Sequence, residues 1–179
     1  YMQLIERMLK ENKSSIMLVP EISLTPQTVD RFLERFGEEK IAVLHSKLSI
    51  GERYDQWNKI KENKAKIIIG ARSAIFAPAK DLGLIIIDEE HDESYQSEMS
   101  PRYDAKEVAE FLANKLNISL VLGSATPDLK SYYNSLNGNI KLLKLTKRAN
   151  NSTLPKVYIV DLRQELANGN KSMLSKKLQ

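Results

Sequence analysis

Three consecutive carboxylates and a histidine follow an apolar run in the middle of the chain. The run 82–87, Leu-Gly-Leu-Ile-Ile-Ile, leads directly into Asp88, Glu89, Glu90 and His91. Such a run predicts a strand buried on both faces of a parallel sheet. Ligands of open α/β sheets bind at the carboxyl ends of the strands, where an aspartate can hold Mg²⁺ and a neighbouring acid can orient or deprotonate an attacking water. A solvated acidic turn is the alternative interpretation.

Polar residues also end three other predicted strands. The segments are 18–25 (Leu-Val-Pro-Glu-Ile-Ser-Leu-Thr), 69–74 (Ile-Gly-Ala-Arg-Ser-Ala) and 123–127 (Gly-Ser-Ala-Thr-Pro). In a parallel sheet these ends meet at one edge, so their side chains are expected near the acids.

Short apolar strands alternate with amphipathic helices, which predicts a parallel α/β sheet with helices on both faces. Helices are predicted over 2–11, 26–36, 49–62 and 104–116 and from 126 onward. Strands are predicted over 16–19, 41–44, 66–69, 84–87, 118–122, 140–145 and 157–160, with a polar loop at 148–153 and a connector beyond 161. Thr25 before Pro26, and Ser49 three residues before Glu52, indicate helix starts.

The composition favours one globular domain. The chain has 179 residues, of which 42% are hydrophobic, and it contains no cysteine. Disulfides and thiolate zinc sites within the chain are therefore excluded. The sequence has no apolar run long enough to span a membrane and no secretory signal pattern, so a cytoplasmic location and no membrane partner are expected.

Charge is distributed unevenly along the chain. Residues 1–139 carry 18 Lys/Arg and 21 Asp/Glu, a net charge of −3, whereas residues 140–179 carry 9 and 2, a net charge of +7. A basic segment of this kind can attract a phosphate backbone or can simply be a solvated tail.

A phosphate-binding loop of the form G-x-x-x-x-G-K-[ST] does not occur within residues 1–179. A nucleotide-binding α/β domain needs such a loop before its first helix. Either the chain begins downstream of that loop, or it has no nucleoside triphosphate site.

The order and spacing of the four polar segments resemble motifs Ia, Ib, II and III of superfamily 2 helicases. More closely, the chain resembles the primosomal protein N′ family of bacterial replication-restart DNA helicases. The segments that carry this resemblance are 19–27, 44–46, 70–74, 88–92, 101–105, 123–127 and 160–163, together with Tyr95. The resemblance implies a RecA-like P-loop NTPase lobe over 1–147, truncated before the phosphate loop (Walker A). Residues 148–179 would be a terminal strand and a connector toward a second lobe.

The resemblance implies specific roles at the nucleotide. Asp88 would bind the Mg²⁺ that accompanies ATP, and Glu89 would activate the water. Glu90 and His91 would complete the cofactor-binding motif and couple it to neighbouring motifs. Ser124, Ala125 and Thr126 would link nucleotide state to DNA binding, although Thr126 could equally be a helix N-cap.

The resemblance also implies a set of DNA-binding residues. They are Pro20, Glu21, Thr25, His45, Ser46, Gly70, Arg72, Ser73, Tyr95, Arg102 and Tyr103. Helix capping alone could explain Thr25, a loop contact could explain His45, and packing on the sheet could explain Tyr95 and Tyr103. Gln96 and Asp104 depart from the family, where basic residues and histidine are common. Trp57 is predicted to be a packing residue.

The function implied by this resemblance is ATP-dependent 3′-to-5′ DNA unwinding that restarts stalled replication forks by primosome assembly. Implied partners are forked and single-stranded DNA, primosome and replication-restart proteins, and single-stranded-DNA-binding protein. The family also binds zinc, for which this chain has no site, and residues 1–179 alone are expected to be inactive. Two alternatives stay open: another superfamily 2 translocase acting on RNA or duplex DNA, and a DNA-binding module without ATPase activity.

Overall fold

A computed structural model describes residues 1–146 and 156–178, and it contains a five-stranded parallel sheet. The strands are β1 (Ser14–Leu18), β2 (Ile41–Leu44), β3 (Ile67–Gly70), β4 (Leu82–Ile87) and β5 (Ser119–Leu122). Their order across the sheet is β2-β3-β1-β4-β5. Every neighbouring pair is parallel, with Leu18 beside both Gly70 and Ile87 and with Ile87 beside Leu122. The carboxyl ends of all five strands therefore meet along one edge, and the predicted fold class is confirmed.

Helices cover both faces of this sheet. The helices of the unit that holds the sheet are α1 (Met2–Lys10), α2 (Pro26–Phe36), α3 (Ile50–Lys61), α4 (Ala105–Leu116) and α5 (Leu129–Leu136), and α6 (Leu162–Ala167) belongs to a separate unit. Short 3₁₀ helices span Glu21–Ser23, Glu38–Lys40, Arg72–Phe76 and Glu93–Tyr95. None of the helices in the described ranges has the length and apolarity needed to cross a membrane.

Alternate residues of each strand face opposite layers, as the pleat of a strand requires. Ile85 and Ile87 pack with Ile60 of α3 and Ala109 of α4 on one face. Ile86 packs on the other face with residues of α1 and α2. The sheet is thus the middle layer of three, and only its strand ends are free to present polar groups.

The helix starts agree with the predicted caps, with one exception. Thr25 accepts a hydrogen bond from the Thr28 amide at the start of α2, and Ser49 forms a complete capping box with Glu52. The helix predicted from residue 126 instead begins at Leu129, with Asp128 as its N-cap. Thr126 is therefore free to contact other groups.

The two strands predicted over 140–145 and 157–160 are wrong. Both segments are in the described part of the chain, neither is assigned to a strand, and most of their side chains are exposed. Apolar alternation alone produces no strand where no neighbouring edge pairs with it. The loop predicted at 148–153 lies outside the described residues.

The chain divides into two compact units, Tyr1–Lys141 and Leu142–Gln179. The first holds the whole sheet and α1 to α5, and the second holds α6. The predicted domain boundary at residue 147 lies outside the described ranges and stays a prediction.

Candidate nucleotide and nucleic-acid site

Asp88 lies one residue beyond β4, at the edge where the strands end and beside the central strand β1. Its amide donates to the carbonyl of Leu18 at 2.9 Å, which continues the ladder with β1. The hydroxyl of Tyr1 donates to Asp88 Oδ1 at 2.7 Å, and the hydroxyl of Tyr95 donates to the Asp88 carbonyl at 2.6 Å. Contacts from three separate chain segments therefore fix the position of this residue, and the one from Tyr1 reaches its carboxylate.

The chain turns sharply at Glu89. Its φ is +46°, a left-handed conformation that non-glycine residues adopt rarely, and its carbonyl accepts from the Asp92 amide at 2.8 Å. The Glu89 side chain is half-buried, and its Oε2 lies 3.6 Å from His91 Nδ1. Backbone strain of this kind concentrates at functional sites, so it supports the role predicted for Glu89.

His91 joins the acidic segment to the segment after β5. Its Nδ1 lies 2.7 Å from Ser124 Oγ, and its Nε2 lies 3.5 Å from Thr126 Oγ1. Ser124 Oγ also accepts from the Thr126 amide at 3.0 Å. Motifs 88–91 and 124–126, which the sequence predicted to be coupled, are in direct contact.

Glu90 does not face the same way as its neighbours. Its side chain is 1% exposed and is held by groups on α4 and α5. The prediction that Glu90 binds the cofactor is therefore wrong, because a carboxylate buried among these helices cannot reach a nucleotide. The left-handed turn at Glu89, beyond the end of β4, separates the side chains of these consecutive acids.

Tyr1 is a site residue that the sequence analysis missed. Its ring lies against Gly123, where a Cβ would overlap the Tyr1 hydroxyl. Burial and the hydrogen bond to Asp88 raise the pKa of this hydroxyl, which stays protonated at neutral pH. No local pattern predicts a contact between residues 1 and 88, although the glycine at position 123 fits such close approach.

Tyr95 does not offer a stacking face to a base. Its ring is 0% exposed and packs in the core with Ile87 and Ala105. Burial raises the pKa of its hydroxyl, which donates to Asp88. Its predicted role in DNA stacking is wrong, and the alternative of packing on the sheet is correct.

Arg72 and Tyr103 hold the loop that follows the acids. The Arg72 guanidinium donates to the carbonyls of Ser94 and Gln96 and lies 5.6 Å from the centre of the Tyr103 ring. Tyr103 also meets Phe76 edge to face, with ring centres 5.0 Å apart. Of these two predicted DNA-binding residues, Arg72 thus contacts the loop, and Tyr103 packs against Arg72 and Phe76.

A groove of about 970 Å³ lies beside the ends of β2 and β3. Five of the predicted DNA-binding residues line it, namely Glu21, His45, Ser46, Arg72 and Ser73. Ten lining residues were not predicted to bind DNA, and Arg53, Trp57, Phe76 and Met99 are among them. Trp57, predicted to be a packing residue, is 38% exposed, and Phe76 is 50% exposed. Arg53 and Trp57 are four residues apart on α3, a spacing that could have indicated a shared face.

The remaining predicted DNA-binding residues lie outside this groove lining. Pro20 and Gly70 are buried, and a Cβ at Gly70 would overlap the Leu44 carbonyl, so both have structural reasons to be present. Thr25 is exposed at the start of α2. Arg102 is exposed and donates to the Glu98 carbonyl at 3.2 Å.

The acids fit a magnesium ion that is shared with a nucleotide. Among the described residues, no cluster of three or more acidic, histidine or cysteine side chains could enclose a metal. Mg²⁺ does not require such a cluster, because it keeps several waters and binds through one or two carboxylates and the phosphates of its substrate. Asp88, half-buried at a strand end, is a suitable single carboxylate.

Comparison with known proteins defines the class. The family model described as DEAD/DEAH box helicase matches residues 1–135, and the chain belongs to this family. The chain is 54% identical over 178 residues to the replication restart protein PriA of Bacillus subtilis, a match that covers 99% of this chain and 22% of that protein. It is 49% identical over 170 residues to PriA of Haemophilus influenzae, covering 94% and 23%.

These relatives confirm the resemblance drawn from the motifs, and the chain spans about a fifth of their length. Among solved structures, the C-terminal domain of the DEAD-box protein Dbp5 is similar at a TM-score of 0.40 and 14% identity, covering 72% of each chain.

Proposed function

We propose that this chain is part of the motor of an ATP-dependent 3′-to-5′ DNA helicase that restarts stalled replication forks by primosome assembly. The observation that carries the proposal is the contact of His91 with Ser124 and Thr126, directly beside Asp88 and Glu89. In a motor, the residues at the nucleotide must pass a change to the segment that acts on DNA, and this contact joins the two. The identity to PriA supports the choice of helicase among ATP-driven enzymes.

Asp88 and Glu89 have different tasks in hydrolysis. A Mg²⁺ ion at Asp88, when bound with ATP, would neutralise charge on the phosphates. The hydrogen bonds from Tyr1 and Tyr95 hold Asp88 for this purpose. Glu89, half-buried on its left-handed turn, would accept the proton of the attacking water at a carboxylate oxygen.

The segment Ser124–Thr126 transmits the change in nucleotide state toward the DNA-binding part of the motor. His91 contacts both hydroxyls, so a shift of the acidic turn on loss of the γ-phosphate alters two hydrogen bonds at once. Ala125 between them is exposed, so its side chain is not buried against another element. Such order changes at a γ-phosphate are an established route to switching.

The groove beside β2 and β3 is the proposed path of single-stranded DNA. Trp57 and Phe76 offer partly exposed rings on which bases can stack, and Arg53 can contact a phosphate. Forked DNA, primosome proteins and single-stranded-DNA-binding protein are proposed as partners of the intact protein. These partners would place its action in the cytoplasm.

The test uses the intact protein that contains this chain. Glu89→Gln keeps the shape of the side chain and removes its charge, so DNA-stimulated ATP hydrolysis should fall by about 10²-fold or more, while ATP and DNA binding persist. Glu34→Gln, which alters an exposed acid on α2, is the matched control. Duplexes with 3′ or 5′ tails report the direction of unwinding.

Hydrolysis at the wild-type rate in Glu89→Gln would contradict the assignment of Glu89. A wild-type protein that binds DNA and never hydrolyses ATP would favour the binding-module alternative. Unwinding of RNA or blunt duplex in preference to tailed DNA would favour the other translocase.

A further inference from the structure

Glu90 is a buried carboxylate with donors from two helices. Its Oε1 accepts from the Asp128 amide at 2.7 Å, and its Oε2 accepts from Ser131 Oγ at 3.1 Å and Lys106 Nζ at 3.3 Å. Lys106 Nζ also donates to Asp128 Oδ2 at 3.1 Å. Burying a carboxylate is unfavourable unless it is paired and hydrogen-bonded, and here both oxygens are satisfied.

The consecutive residues Glu90 and His91 therefore both form hydrogen bonds with the short segment 123–128. Glu90 binds the chain at Asp128, and its own amide donates to the Gly123 carbonyl at 2.9 Å. His91 binds the same segment at Ser124 and Thr126. The segment 123–128 is thus clamped at both ends by the residues that follow Glu89.

Lys106 is the cation of this clamp. It comes from the first turn of α4, its side chain is 17% exposed, and it bridges Glu90 and Asp128. Burial lowers the pKa of Lys106, but its bonds to Asp128 and Glu90 outweigh that effect and raise the pKa, so the amine is charged. Asp128 uses its other oxygen to cap α5.

We propose that Lys106 and Asp128, acting through Glu90, are positioning residues that hold the segment 123–128 in register with His91. The clamp gives α4 and α5 a direct connection to the acidic turn, so movement of either helix changes the contact between His91 and Ser124. The expected effect of the clamp on ATP hydrolysis rests on the proposed function. The positioning of segment 123–128 against His91 does not.

The geometric part is tested by NMR on the 179-residue chain. The chain has only two histidines, so the imidazole signals of His91 are assigned by comparison with His45→Gln. Lys106→Met should shift the ring nitrogen signals of His91 and raise hydrogen exchange at the Asp128 amide at least tenfold. Lys115→Met, at an exposed lysine near the end of the same helix, should change neither.

Two further variants keep the test decisive if Lys106→Met does not fold. Lys106→Arg retains the charge and should restore the His91 signals. Ser131→Ala removes one donor to Glu90, keeps the ion pair, and should raise exchange at Asp128 on its own. Unchanged His91 signals and unchanged exchange in folded Lys106→Met or Ser131→Ala would overturn the proposal.

The functional part uses the intact protein. Lys106→Met should lower kcat for DNA-stimulated hydrolysis about tenfold with KM for ATP within about twofold, since the clamp does not touch the nucleotide. An equal fall in kcat for Lys115→Met would contradict the functional part of the proposal. So would a change in KM for ATP with kcat unchanged. If the intact protein binds DNA and never hydrolyses ATP while the His91 signals respond to Lys106→Met, the proposed function fails and the clamp stands.

Discussion

At Glu89 an unfavourable backbone conformation carries the side chain that is proposed to activate water. The residue is in a left-handed conformation at φ +46°, which glycine would adopt without strain. A glutamate in this conformation carries backbone strain of the order of 1–3 kcal/mol. The adjacent Glu90 is on a different side of the chain and has a separate, structural set of partners.

This strain leads to a prediction on stability. Glu89→Gly should raise the free energy of unfolding by about 1 kcal/mol relative to Glu89→Ala, because only glycine relieves the left-handed turn. Urea unfolding of the two variants, each alongside the original chain, measures the difference. Equal stability of the glycine and alanine variants would show that the turn is unstrained.

At the scale of the elements, an ion pair between Asp128 and Lys106 joins the start of α5 to α4. Asp128 begins α5, and its carboxylate lies 3.1 Å from Lys106 on α4. The hydrogen bond from Lys106 lowers the pKa of Asp128. The helix therefore begins at Leu129, three residues later than its Thr-Pro sequence predicts, because Asp128 satisfies both the cap and the partner helix.

The lowered pKa gives this pair a definite pH dependence. It stabilises the fold above the ordinary aspartate pKa of about 3.9, and that contribution is lost as pH falls through the lower folded-state value. Asp128→Asn should cost about 0.5–1 kcal/mol at pH 7, since the side chain is 39% exposed and solvent screens the pair.

Chemical unfolding from about pH 7 down to pH 2 would measure this loss. The difference between Asp128→Asn and the original chain should shrink toward the acid end. Asp30→Asn, at an exposed aspartate on α2, is the control. A difference that stays constant with pH would mean that the ion pair adds nothing.

For the whole molecule, the groove is the feature that several distant segments build together. It takes side chains from the ends of β1, β2 and β3, from α3 and from the loop after Tyr95. Its charges are mixed: Arg53 and Arg72 lie with Glu21, Glu93 and Glu98. Stacking on rings, more than attraction of phosphates, should therefore dominate its affinity for unpaired DNA.

Trp57 makes this prediction measurable, because it is the one tryptophan of the 179 residues and it lines the groove. A thymidine oligonucleotide should quench its fluorescence, and a blunt duplex should do so much less. Phe76→Ala should weaken binding by roughly 1–3 kcal/mol, the value of one stacking contact.

The oligonucleotide binding is followed independently by the anisotropy of a labelled strand. Phe111→Ala, at an exposed ring of α4 that does not line the groove, is the matched control. Binding by anisotropy without any change in Trp57 emission would place the DNA elsewhere on the molecule.

The sequence alone determined the sheet, most helix starts and the place of the acids. Those features depend on local patterns: apolar runs for β2 to β5, caps at Thr25 and Ser49, and an acidic turn after β4. Strands predicted over 140–145 and 157–160 failed because a strand also needs a partner edge, which its own pattern does not reveal.

Only the tertiary structure decided what the polar and aromatic side chains face. Tyr95 and Glu90 are buried, and Tyr1 reaches Asp88 across 87 positions of sequence. Trp57 lines a groove rather than the core. Residue type and spacing specify which edge of the sheet a side chain occupies. Whether it turns to solvent, to a helix or to a distant segment depends on contacts that form only when the layers pack.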